Sequence, residues 1–318
     1  SQTTPAPDWP EETRRAYEDL RTYRIVGASA CVVAIMGALQ AVAQQTPPGG
    51  KGAVLRRVSQ TGEHFCALKP NTAAYVNAVR WLLIGIEDGA DDRTAAAVIS
   101  GRVQEYAAYH RESMGRIAAR ARELLPAGSH VLVHDYSSSV LAAVTDASRQ
   151  GRILTVFVTA GEPLGQGPKL ARAIAASGHR IVYLPDAGIG RVMGEIDIVL
   201  SGVETLFRGG DLANTVGTYP IALAARDANI PVYGVTERIK IHPTAVTATA
   251  CELHAQVLHP WPPSRVALPA GADIRNQVLD LTPARLITGY VTEEGVLPPA
   301  GVGEALDRLF EDLAQIAS

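Results

Sequence analysis

The pattern of apolar and polar positions changes character once along this chain, near Gly128. Before it, the chain reads as helices. Asp8 ahead of Trp9-Pro10-Glu11 marks a helix start, with Asp8 as N-cap and Glu11 placed as in a capping box. Ile25 to Ala43 is an uncharged run that Ser29 can cap, and it should stop before Pro47-Pro48-Gly49-Gly50. A third helix is expected after Gly52 and a fourth from about Thr72 through Trp81 to Ile86. A long Ala/Arg-rich fifth spans Asp91 to Leu125 and is closed by Pro126 and Gly128. After Gly128 come short apolar runs at His130–His134, Arg152–Thr159, Arg180–Leu184, Ile196–Leu200 and Pro231–Val235. Helical stretches separate them, Val140 to Ser148 and Gln166 to Ser177 among these. Short strands alternating with helices predict a parallel sheet covered on both faces. The expected fold class is therefore α/β, a helical N-terminal domain over residues 1–128 and a Rossmann-like parallel-sheet domain over residues 129–318.

Composition narrows the functional classes. With 47% apolar and 19% charged residues, the chain builds a large core and is not disordered. A net charge of −3 without a dense Lys/Arg run gives no reason to expect a nucleic-acid partner. Aromatics at 5% leave few stacking platforms for single strands. Cys31, Cys66 and Cys251 are odd in number and widely spaced, so they form neither a disulfide framework nor a zinc site, which suits a reducing cytoplasm. Ile25 to Ala43 is just long enough to span a bilayer. It is dominated by Ala and Gly, carries Ser29 and Gln40, and lacks a basic start and a cleavage site. It reads as a buried helix, and the expected setting is the cytoplasm with no membrane partner.

In parallel sheets ligands gather beyond the carboxyl ends of the strands. Three such ends stand out: His134-Asp135-Tyr136-Ser137, Thr159-Ala160-Gly161-Glu162 and Ser201-Gly202-Val203-Glu204. No GxGxxG, P-loop, GxSxG or HExxH motif accompanies them. Asp135 and Glu204 form a possible acid/base pair if their environments separate their pKa values. The alternative is that Asp135 caps the next helix and Glu204 is a solvated loop residue. Gly209-Gly210-Asp211 and Asn214-Thr215-Val216-Gly217-Thr218 offer backbone approach to a ligand and an anion site at a helix start, or simply a turn and a cap. Lys69 opens another helix where it could meet a phosphate, although Pro70 there is an ordinary helix-start residue. His134 is either a packed, hydrogen-bonded residue or a proton carrier.

Taken in order, these segments resemble the translation initiation factor 2B alpha/beta/delta superfamily, which includes methylthioribose-1-phosphate and ribose-1,5-bisphosphate isomerases. The carrying pieces are Val133-His134-Asp135-Tyr136-Ser137, Val158-Thr159 with Pro163 and Gln166-Gly167, Asp186, Ser201-Gly202-Val203-Glu204 and Asn214-Thr215-Val216-Gly217-Thr218. Asp280-Leu281-Thr282-Pro283, Ile287-Thr288 and Val291-Thr292-Glu293-Glu294-Gly295-Val296 complete the set. Upstream, Gly27-Ala28 and Lys69-Pro70 with Asn77-Ala78 echo the family's Arg-Gly-Ala and Arg-Pro-Thr-Ala segments. The resemblance implies a helical domain on a Rossmann-like domain, usually dimeric. It also implies aldose–ketose isomerase chemistry with no metal or organic cofactor.

The departures from the family are informative. Asp135 stands where the isomerases carry cysteine, and Glu204 where they carry aspartate. The regulatory subunits carry a small residue and a glutamate at these places. Val26, Lys69 and Glu162 each replace an arginine, and Thr215 replaces a lysine, which points to a ligand with fewer phosphates or with a cationic group. Asp135 and Glu204 are the expected proton carriers, with Asn214 and Lys240 orienting the sugar. Gly27, Ala28, Lys69, His134, Ser137, Glu162, Gln166, Gly167, Thr215 and Gly217 are the further candidate ligand contacts. The expected partners are a sugar or sugar-phosphate ligand and a second copy of the chain. A non-catalytic sensor of a nucleotide or sugar phosphate is the competing expectation.

Overall fold

The structure, a computed structural model, describes residues 8–22, 24–25, 27–47, 49, 51–70, 72–86, 90–247, 269–272 and 277–317. Val26 and Cys251 lie outside the described residues. The chain divides into two compact units. Unit 1 takes residues 1–112, 238–243 and 304–318; unit 2 takes 113–237 and 244–303. This differs from a single cut after residue 128, because the chain returns to unit 1 twice.

Unit 1 is helical. Its helices are α1 (Glu11–Arg21), α2 (Ala28–Gln45), α3 (Ala53–Leu68), α4 (Ala73–Leu83) and the first part of α5 (Asp92–Glu123). Tyr17, Ile35, Leu39, Phe65 and Trp81 are fully buried there. Among the described residues, α2 is the one helix long and apolar enough to cross a bilayer. It packs against α1, α3 and α4 as a core helix does, and half of it is buried. Two expected caps are not used. α1 starts at Pro10, and Asp8 instead pairs with Arg57 at 2.8 Å. α2 starts from Gly27, whose φ of 88° makes the turn, so Ser29 lies inside the helix. The last helix returns to this unit because Phe310 packs under the Arg80 guanidinium, 3.8 Å from the ring centroid.

Unit 2 is built on strands β1 (His130–His134), β2 (Thr155–Thr159), β3 (Arg180–Leu184), β4 (Ile198–Ser201), β5 (Thr205–Leu206), β6 (Leu212–Thr215), β7 (Val232–Val235), β8 (Leu279–Thr282), β9 (Gly289–Val291) and β10 (Val296–Leu297). The main sheet has the order β10-β9-β7-β4-β1-β2-β3 and is parallel except at β10. The five expected strands are all present in it. A smaller antiparallel sheet, β5-β6-β8, is added in this unit, with no counterpart in the sequence reading. The helices of this unit include α6 (Ser138–Arg149), α7 (Gly167–Ala176), α8 (Ile189–Val192) and α9 (Thr218–Asp227). Val131, Val133, Val156, Val158, Ile198 and Leu200 form one core with Val140, Val144, Leu170 and Ile174 of α6 and α7. Central parallel strands are apolar along their length because both faces are covered. The strand order reverses between β1 and β4: β2 and β3 lie on one side, β7 and β9 on the other. Such a reversal opens a crevice at the carboxyl ends of the two strands.

Candidate functional site

The two acidic residues the sequence singles out follow the strands that border the crevice. His134 of β1 stands opposite Ser201 of β4, so the two strands end level. Asp135 is one residue past the first end and Glu204 three past the second. Asp135 is 8% exposed and has φ 58°, a left-handed conformation rare for a residue with a side chain. It does not cap α6. That task falls to Ser137, whose Oγ accepts from the Val140 N–H at 3.3 Å. The Asp135 carboxyl accepts from Thr215 Oγ1 at 2.5 Å through Oδ2, while Oδ1 is buried with no hydrogen-bond partner among the described residues. Burial pushes this carboxyl above its ordinary range, against the Thr215 hydroxyl, the Tyr136 amide and His134, which favour the charged form.

His134 is held from both sides. Its Nε2–H donates to Val216 O at 2.8 Å, and Nδ1 pairs with Thr159 Oγ1 at 2.6 Å. Both ring nitrogens are thus hydrogen-bonded within the fold. Nδ1 also lies 3.7 Å from Asp186 Oδ1. Asp186 accepts from the N–H groups of Gly161 and Glu162, each at 2.9 Å, and so closes the loop after β2. Gly217, at φ 111°, begins α9 directly over the imidazole, where a Cβ would come within 2.7 Å of it. The helix start expected to hold an anion is filled from within. Asp280 Oδ2 accepts from Gly217 N at 2.8 Å and Tyr219 N at 3.0 Å. Burial raises the Asp280 carboxyl as well.

On the other flank, Glu204 is half-buried and its backbone N–H donates to Ala213 O of β6 at 3.1 Å. Gly202 lets this turn approach the β1 loop: a Cβ there would meet Ser137 Cβ at 2.8 Å and lie 3.7 Å from Asn214 Oδ1. Asn214 Nδ2 in turn donates to Thr218 Oγ1 at 3.1 Å. Ser137, Asn214, Thr215 and Gly217 therefore surround the ends of β1 and β4. Gly167 packs on the end of β2, its N–H donating to Ala160 O. Gln166 precedes it and donates to Leu164 O, while the Glu162 side chain is exposed.

The remaining candidates belong to unit 1. Gly27 and Ala28 begin α2, and Lys69 ends α3 with its Nζ 5.9 Å from the Tyr75 ring centroid. Lys240 is 6% exposed, on a short 3-10 turn at Arg238–Lys240. Asn77 Nδ2 donates to Ile239 O and Ile241 O, at 2.8 and 2.7 Å, and so clamps the backbone on both sides of that lysine. Sequence reasoning missed this role for Asn77, as it missed those of Thr159, Asp186 and Asp280. The available signals were a lone Asn on an apolar helix and aspartates just past or within strands. The two cysteines described are remote in kind from nucleophiles. Cys31 is buried in α2, and burial pushes the Cys66 thiol up to about 11.

Comparison with known proteins agrees with this architecture. Ribose 1,5-bisphosphate isomerase of Methanocaldococcus jannaschii is 25% identical over 301 residues, 93% of this chain and 95% of that protein. The crystal structure of Pyrococcus horikoshii translation initiation factor eIF-2B superposes with a TM-score of 0.78 at 25% identity, covering 91% of this chain and 98% of that one. The 5-methylthioribose 1-phosphate isomerase of Pyrococcus horikoshii gives a TM-score of 0.74 at 21% identity over 94% and 88% of the two chains, a likeness of fold. The family model for the initiation factor 2 subunit family matches residues 24–299. With its helical N-terminal part, its mostly parallel sheet and this match over most of its length, the chain belongs to the initiation factor 2 subunit family.

Proposed function

We propose that this chain is an isomerase of the aldose–ketose type, acting on a sugar phosphate or a nucleoside-derived sugar. Asp135 and Glu204 move the protons. The observation that carries this reading is the pair's position: the two residues follow the strands on either side of the reversal of strand order, and buried Asp135 has an oxygen, Oδ1, without a hydrogen-bond partner among the described residues. Asp135, raised by burial, is the acid; Glu204, half-buried, is the base. Asn214 orients the sugar. Thr215 in place of the family's lysine, and Asp280 filling the start of α9, favour a ligand that brings little negative charge to this end of the sheet. The isomerase name of the Methanocaldococcus relative supports the reaction class. The reaction requires no cofactor.

The test is exchange of the C2 hydrogen in D₂O, followed by NMR across phosphorylated and unphosphorylated pentoses and nucleoside-derived sugars. Exchange with at least one sugar, lost in Asp135→Asn and in Glu204→Gln, is the expected result. Exchange at the wild-type rate in both variants removes the pair from the mechanism. Binding without exchange in any sugar favours the second reading, a ligand sensor. That reading draws on the likeness to the Pyrococcus initiation factor structure and on Glu204, which resembles the regulatory branch. In either case we place the protein in the cytoplasm as a homodimer. Light scattering should give twice the 33.6 kDa chain mass, and a single-chain mass at every concentration would refute the dimer.

A further inference from the structure

Asp135 lies beyond the β1 ladder, so strand pairing does not hold its side chain. Thr215 does. It is the last residue of β6, 6% exposed, with its backbone registered against Leu279 of β8 and its carbonyl accepting from Thr218 Oγ1 at 2.8 Å. A hydroxyl anchored in this way donates to Oδ2 at 2.5 Å and leaves Oδ1 buried without a partner among the described residues. A buried polar atom left unsatisfied is costly and calls for an explanation, of which a catalytic role is one.

Resting on the isomerase reading, we propose that Thr215 is a positioning residue: by occupying Oδ2, it makes Oδ1 the oxygen that exchanges the proton with the sugar. In the first half-reaction the Oδ1–H bond breaks and its proton bonds to the C1 carbonyl oxygen. The C2–H bond breaks at the same time. Its proton goes to the Glu204 carboxylate, and its electron pair becomes the C1=C2 bond of an enediol. In the second half, the O2–H proton returns to Oδ1 and the Glu204 proton is delivered to C1. Protons and electrons balance with no further reactant. The titratable groups acting on Asp135 are His134 beside it on β1 and Asp186 after β3, and His134 also acts on Asp280 of β8. The Thr215 hydroxyl stabilises the carboxylate, so its loss shifts the Asp135 titration to higher pH.

The experiment titrates ¹³C-carboxyl-labelled aspartate by NMR in the wild type, Thr215→Val and Thr215→Ser, with Asp135→Asn assigning the resonance. Thr215→Ala serves if the valine variant does not fold. The expected result is an upward shift in Thr215→Val, reversed in Thr215→Ser. Alongside it, C2 exchange should slow by about 10²-fold, the lower end of what a positioned acid supplies, and its pH profile should move with the titration. Suppose instead that Asp135→Asn abolishes exchange while Thr215→Val leaves rate, profile and titration unchanged. The positioning role then falls and the isomerase reading stands. If no sugar exchanges even with wild-type protein, the isomerase reading falls and takes this proton path with it, whatever the titration shows.

Discussion

Two aspartates follow strands of the same sheet edge, and the fold treats them oppositely. Asp186, after β3, gives one oxygen to Gly161 N–H and the other to Glu162 N–H. Both acceptors are matched to backbone amides, so the carboxylate is a fastening for the β2 loop. Asp135, after β1, gives one oxygen to a threonine hydroxyl and keeps the other buried and unmatched among the described residues, in a backbone conformation that costs about 1–3 kcal/mol. Residue type does not separate the two. Their hydrogen-bond partners and their places on the sheet do, and an unmatched acceptor beside a strand-order reversal is what the proposed proton transfer uses.

The sharpest way to break this contrast is to exchange the consequences of mutation. Asp135→Asn should lower C2 exchange by about 10²–10⁴-fold, the usual contribution of a positioned acid. Glu204→Gln should act similarly, and the double variant should be little worse than either alone, because the pair works as a unit. Asp186→Ala should instead lower stability by about 2 kcal/mol, from two lost hydrogen bonds to a charged group. A shifted urea midpoint with an unchanged slope would show it. If Asp186→Ala abolished exchange while keeping full stability, the division into fastening and chemistry would be wrong.

A third effect is smaller and concerns pH. The folded state raises the Asp135 carboxyl, so between the ordinary aspartate value of about 3.9 and the raised one the folded protein holds a proton that the unfolded chain has released. Stability from this group is complete below the ordinary value and is lost as pH rises through the folded one. Asp135→Asn should therefore flatten the fall in stability across that window, leaving a remainder from Asp280, which is raised in the same direction. Denaturant titrations over a pH series would detect it; an unchanged slope would mean Asp135 is not raised. The smallest expected effect is at the cysteines. Cys31→Ala and Cys66→Ala should leave the exchange rate unchanged, since one thiol is buried and the other is held protonated at neutral pH.

The parts of the molecule legible in the sequence are those where local pattern and tertiary need coincide. β1, β2, β4 and β7 are apolar because both faces are covered, so their runs stand out. β5, β9 and β10 are two or three residues long, too short to show any period. β6 and β8, as Leu-Ala-Asn-Thr and Leu-Asp-Leu-Thr, are short and carry polar side chains that bind across to other loops. Asp8 and Ser29 have the right chemistry for caps, yet Pro10 and Gly27 set the helix starts. At the site, the strand-end rule and the family resemblance point to Asp135 and Glu204. What neither can supply are pairings between distant residues. Thr215 meets Asp135 across 80 positions, and Asp280 reaches Gly217 across 63. Both pairings depend on the small antiparallel sheet, the element least visible in the sequence.

The most direct test of the central claim is a crystal structure with a bound pentitol, a sugar analogue that lacks the carbonyl and cannot turn over. The account predicts Asp135 Oδ1 within hydrogen-bond distance of the C1 oxygen, with the Glu204 carboxylate against C2 on the same ligand. An analogue bound elsewhere, with Oδ1 still buried and untouched, would contradict it.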